Sequence, residues 1–147
     1  MWVSPDGNQH SIDGVIAEIS SESKVFVGTD SQLVAGQWQL ATAICIYWEG
    51  RGGKFFYRRN KLKQTTFRSL EDRLMHEVYE SVMTAELIKS QCPDICVNIH
   101  ADIASDPDSR SARLAKAAKS YISGMGYEPT IKPDAWASTT IADKFTR

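Results

Sequence analysis

Two apolar runs in this chain each stop at an aspartate: Val25-Phe26-Val27-Gly28-Thr29-Asp30 and Val97-Asn98-Ile99-His100-Ala101-Asp102. A carboxylate is costly to bury unless it is paired or bound to a metal. If the two runs are parallel neighbouring strands, both acids lie at one sheet edge, where the ligands of open α/β sheets collect. Carboxylates that close repel, and a divalent cation resolves the repulsion. The competing reading for either residue alone is a turn former or helix cap.

Further acids are available to join them. Glu77 lies on the border of a helical apolar stripe, one turn after Leu74, and is placed to reach the sheet edge. Glu71 falls near the same stripe and is its rival, whereas Glu80 and Glu86 lie further round toward solvent. A fourth acid comes from Asp143 in Ile141-Ala142-Asp143-Lys144-Phe145, with Asp134 as the alternative. His100 shares a strand face with Asp102, so it is placed to shuttle a proton or orient a phosphate; a hydrogen-bonded core histidine is the plainer reading.

Several elements must position these residues. Ile12, Val15, Ile16 and Ile19 recur at helical spacing after a turn at Asp6-Gly7-Asn8. Lys24 to Asp30 reads as a first strand, Trp38 to Trp48 as a second that is apolar on both faces, and Lys54 to Arg59 as a third. Short connections suggest an antiparallel meander. Ser69 to about Ser90 is the longest helical pattern, with Leu70, Leu74, Val78, Val82, Ala85 and Ile88 as its stripe. Ile95 to Ala101 is a fourth strand, reached through a helix and so expected to run parallel to one of the first three. Arg110 to Gly124 reads as a helix, Tyr127 to Lys132 as a fifth strand, and Ser138 as the cap of a final helix. The expected fold is α/β: a mixed five-stranded sheet of three antiparallel strands plus two more, flanked by helices, with an extra N-terminal helix. One domain over 1–147, with 1–23 as an N-terminal extension, suits the length.

The net charge of −1 provides no global basic field, so any nucleic-acid contact must be local. Lys54, Arg58, Arg59, Lys61, Lys63 and Arg68 fall in one acid-free segment with Phe55, Phe56, Tyr57 and Phe67. Cations neutralise backbone phosphates and rings stack on bases; the competing reading is an edge strand defended by charge. An interaction domain using exposed Trp2 or Trp136 is a third class without positive support. The three cysteines form no disulfide framework, and Cys45 and Cys96 read as small core residues. With no secretory signal at the N-terminus and no run near the ~20 apolar residues that span a bilayer, the expected location is the cytoplasm.

Val27-Gly28-Thr29-Asp30-Ser31-Gln32, Arg73-Leu74-Met75-His76-Glu77, His100-Ala101-Asp102-Ile103 and Lys132-Pro133-Asp134-Ala135 with Ala142-Asp143, in that order, resemble the ribonuclease-H-like superfamily. Within it the chain looks most like the YkuK-type predicted nucleases. The resemblance implies acids from the first strand, first helix, fourth strand and last helix: Asp30, Glu77, Asp102 and Asp143. Glu77 lies further into its helix than is usual for the superfamily, which leaves Glu71 open. It further implies two-metal phosphodiester hydrolysis with Mg²⁺ or Mn²⁺, the two ions about 3.5–4 Å apart. The alternative is a ribonuclease-H-like module that binds nucleic acid and does not cut it.

Overall fold

The computed structural model describes residues 1–104 and 112–132. In chain order the elements are β1 (Trp2–Val3), β2 (Gln9–His10), α1 (Ile12–Ile16), β3 (Lys24–Val34), β4 (Gln37–Trp48), β5 (Gly52–Lys63), a 3-10 turn (Gln64–Thr66), α2 (Leu70–Gln91), β6 (Val97–Ala104), α3 (Ala112–Gly124) and β7 (Glu128–Lys132). The strands form one seven-stranded sheet in the order β2-β1-β5-β4-β3-β6-β7. The β3-β4-β5 meander is antiparallel, and β6 runs parallel to both β3 and β7.

Two differences from the sequence expectation concern the N-terminal residues. The Asp6-Gly7 turn closes a small hairpin, so the sheet gains β1 and β2 and has seven strands rather than five. Two-residue strands are too short to show a period of two, which hides them in the sequence. The expected N-terminal helix is reduced to the five residues of α1, capped by the Ser11 hydroxyl accepting from Gly14 N–H.

β3 and β5 are also longer than expected. β3 continues four residues beyond Asp30, because β4 pairs with it without a break from Lys24↔Tyr47 to Val34↔Gln37. The link is the two-residue turn Ala35-Gly36, with φ of 51° and 77°. Positive φ at both positions suits a tight hairpin whose twist matches the strands. β5 extends through Lys63, so most of the basic segment is strand rather than connection.

The described helices share one apolar core with one face of the sheet. Val15 and Ile16 of α1, Leu74, Val78, Val82, Ala85 and Ile88 of α2, and Ala115, Ala118 and Ile122 of α3 join Val25, Val27, Ile44, Ile46, Phe56, Val97 and Ile99. Trp2 is buried in this core, with the Arg58 guanidinium 5.0 Å from its ring, so it offers no exposed contact surface. Cys45 is buried as expected, whereas Cys96, placed just before β6, is exposed. Trp136 and Ser138 lie outside the described residues.

α2 carries the helix carboxylate of the candidate site, so its start matters. The Ser69 hydroxyl accepts from Asp72 N–H at 3.0 Å, and Glu71 and Asp72 occupy the first turn, where carboxylates favour the helix dipole. Ser69→Ala is expected to lower stability by about 1 kcal/mol in denaturant unfolding.

Candidate active site

Strand alternation sorts the residues around Asp30. Val25 and Val27 enter the core, Thr29 shares hydrogen bonds with Ser81 (2.7 Å) and Thr42 (3.2 Å), and Ser31 donates to Glu77 of α2. Odd-numbered positions of β3 therefore face the helices. Phe26 and Asp30 point to the opposite face, where the Phe26 ring meets His100 edge-on at 5.3 Å.

The parallel pairing fixes the height of the two aspartates. β3 and β6 pair from Val25↔Val97 to Gly28↔His100. Continuing that register by two residues brings Asp30 level with Asp102 on the same face. The last bridged pair, Gly28↔His100, lies just before them, so both acids stand at the carboxyl end of the parallel ladder, although both strands continue. Asp30 is thus not at a strand end; it stands where β6 leaves β3 and β4 stays paired. Asp102 falls within a register shift between Ala101 and Ala104 against β7. Bulges of this kind re-aim side chains and recur beside active sites.

Glu77 arrives from the helix side. It is only 4% exposed. Burial pushes its carboxyl up to about 8; the Asp30 and Asp102 charges push the same way, while the Ser31 hydroxyl and the Arg73 guanidinium oppose them. Glu77 of α2 therefore feels the charges of Asp30 on β3 and Asp102 on β6. Glu71 is half-buried in the first turn of α2, six residues earlier. Glu80 is not solvated as expected: it accepts from Arg58 at 2.8 Å. Burial holds His100 down to about 4, leaving its imidazole neutral near pH 7.

The carboxylate and hydroxyl oxygens of this group suit a hard dication such as Mg²⁺ or Mn²⁺. Among the described residues, no three His, Cys, Asp or Glu side chains are gathered into a metal-holding cluster. Asp30 lies on the face away from the helices, whereas the Ser31 hydroxyl engages Glu77 on the helix side. Asp134 and Asp143 lie outside the described residues.

The structure divides the basic segment in two. Lys54 pairs with Glu18 at 2.8 Å, and Arg58 pairs with Glu80 on the helix side, so these two already serve folding contacts. Arg59, Lys61 and Lys63 have the opposite parity and are exposed. Arg59 pairs with Ala41, which pairs with Asp30; Lys61 with Gln39, which pairs with Gln32; Lys63 with Gln37, which pairs with Val34. These three cations line the aspartate face, Arg59 about 10 Å from Asp30 across two strand spacings. Arg68 is exposed beyond the 3-10 turn. Arg73, which acts on Glu77, is a charge partner that the i,i+4 spacing on one side of α2 could have revealed from the sequence.

Comparison with known proteins adds the family. The profile described as Ribonuclease H-like matches residues 9–147. The chain belongs to the ribonuclease H-like family. No curated protein matches it. Among solved structures the chain is similar to a Ciona intestinalis endonuclease V in complex with a 24mer DNA containing an inosine followed by a ribo-adenosine. That similarity has 11% identity and a TM-score of 0.34, covering 57% of this chain and 37% of the endonuclease. Among the described residues of this ribonuclease H-like chain, no helix is long and apolar enough to cross a membrane.

Proposed function

We propose that this protein is a metal-dependent nuclease that hydrolyses phosphodiester bonds of nucleic acid. What supports this reading is the β3–β6 pairing up to Gly28↔His100, two residues short of Asp30 and Asp102, together with the buried Glu77 on which both aspartate charges act, on a chain of the ribonuclease H-like family. Asp30, Glu77 and Asp102 would hold Mg²⁺ or Mn²⁺, with Asp143 or Asp134 as the further acid and two ions expected. Bound there, such ions supply Lewis-acid polarisation of the scissile phosphate and an activated water.

The chain's own residues have definable tasks. Ser31 donates to Glu77 and fixes its carboxyl on the helix side. Arg73 favours the charged form of Glu77, against burial and the neighbouring aspartates. Arg59, Lys61 and Lys63 present cations along the aspartate face for successive phosphates. We read residues 1–147 as one ribonuclease-H-like domain acting in the cytoplasm.

The test is cleavage of labelled RNA, DNA, hybrid and branched substrates with Mn²⁺ or Mg²⁺. Cutting of at least one, suppressed by EDTA, supports the reading; no cutting of any of them with either metal contradicts it. The exposed cations Arg59, Lys61 and Lys63 on one sheet face support a second reading, a module that binds nucleic acid without cutting. That module would bind equally well after Asp30→Asn and would show no metal dependence.

The division of the basic segment yields a quantitative expectation. The double variant Lys61→Gln, Lys63→Gln should reduce the log–log salt slope of nucleic-acid binding by about 2. Lys54→Gln should leave it nearly unchanged, because Lys54 already pairs with Glu18. Affinity measured across a salt series checks both.

A further inference from the structure

On the helix face of the sheet, one turn of α2 before Glu77 and across the sheet from Asp30 and Asp102, lies an open cleft of about 360 Å³ lined by Trp38, Phe67, Arg68, Ser69, Leu70 and Arg73. Its walls come from three elements. Trp38 of β4 pairs with Leu33, three residues beyond Asp30 on β3. Phe67 follows the 3-10 turn, and Arg73 lies on α2 one turn before Glu77. The Trp38 and Phe67 rings meet edge-on at 5.3 Å, and the Arg73 guanidinium lies 5.1 Å from the Trp38 ring. Phe67 also meets His76 edge-on at 5.1 Å. Arg68 is exposed and forms no ion pair among the described residues, while the Asp72 carboxylate accepts from its backbone N–H.

We propose that this cleft binds an unpaired nucleobase against Trp38 and Phe67, with the adjoining phosphate on Arg68 and Arg73, so that the strand leads from there along α2 toward Glu77. The proposal deepens the nuclease reading and rests on it for the placement of the reacting phosphate. Partly exposed rings beside guanidinium groups are the chemistry by which proteins hold single strands, since every base has a π-face and cations meet the backbone. A base stacked inside a duplex offers no free face to such a cleft. The substrate class this geometry selects is therefore a single strand, or a junction or flap with an unpaired segment.

The test is fluorescence anisotropy in EDTA with a labelled oligothymidylate of about 12 nucleotides and a blunt duplex of similar length. The wild type should prefer the single strand. Trp38→Leu and Phe67→Leu should each weaken single-strand binding by about 5- to 150-fold and leave duplex binding unchanged. Trp38→Tyr should restore most of the loss. Circular dichroism verifies folding, and the Trp38→Tyr and Phe67→Leu pair decides the matter if Trp38→Leu does not fold. Variants that bind the single strand like the wild type, parallel losses on the single strand and the duplex, or a wild type that prefers the duplex would overturn the proposal. Because EDTA removes cleavage from the measurement, the two readings can fail separately. Ring-dependent binding without any cleavage keeps the cleft and rejects the nuclease. Cleavage with ring-independent binding does the reverse.

Discussion

Asp30→Asn is expected to lower metal-dependent cleavage by on the order of 10³-fold or more while leaving the fold intact. The substitution keeps the size, exchanges one acceptor oxygen for an amide donor, and removes the charge on the face shared with Asp102. Asp30 is half-buried and on the face away from the helices, so no core contact is lost. The loss should appear in kcat rather than in affinity for nucleic acid, because Arg59, Lys61 and Lys63 remain on the same face. Single-turnover cleavage with anisotropy binding on the same substrate separates the two.

The second large effect concerns Glu77 in the metal-free protein. Its carboxyl has an ordinary value of 4.5 and lies at about 8 when folded. Between those values the unfolded chain has released a proton that the folded chain retains, so raising the pH favours unfolding. Stability in EDTA should therefore fall as the pH climbs from 4.5 to about 8, by about 3 to 5 kcal/mol in total. Glu77→Gln removes this contribution, since the amide stays neutral and its oxygen can still accept from Ser31. The variant should match the wild type within about 1 kcal/mol at the acid end and exceed it at the alkaline end. The groups acting on Glu77 are Asp30, Asp102, Ser31 and Arg73. Urea unfolding at several pH values checks the slope, and equal slopes in both proteins would refute the burial account.

The legibility of this fold differs from element to element for physical reasons. The stripe of α2 was readable because a long helix repeats its apolar spacing many times, and the observed Leu70–Gln91 matches it closely. That β6 runs parallel to a strand of the meander follows from the intervening helix; that the neighbour is β3 is a finding of the structure. The end of β3 was not readable: Ser31 and Gln32 are polar and mimic an exit, yet pairing with β4 carries the strand to Val34. The choice between Glu71 and Glu77 was beyond spacing alone, since both border the stripe. The structure separates them by burial and by the Ser31 contact, which depend on how α2 lies across β3. The basic segment was visible as charge, but only the alternation of β5 distinguishes Arg58, committed to Glu80, from Arg59, on the aspartate face. The Trp38–Phe67 cleft joins residues far apart in sequence and left no local signal.

The nuclease reading proposes that Asp30, Glu77 and Asp102 hold a divalent cation. It is tested most directly by titrating Mn²⁺ into the purified protein near pH 8, following free Mn²⁺ by its electron paramagnetic resonance signal, for the wild type and Asp30→Asn. The account predicts that the wild type removes Mn²⁺ from solution, releasing protons as Glu77 ionises, and that Asp30→Asn loses this binding. An Asp30→Asn protein that takes up Mn²⁺ as the wild type does would contradict it.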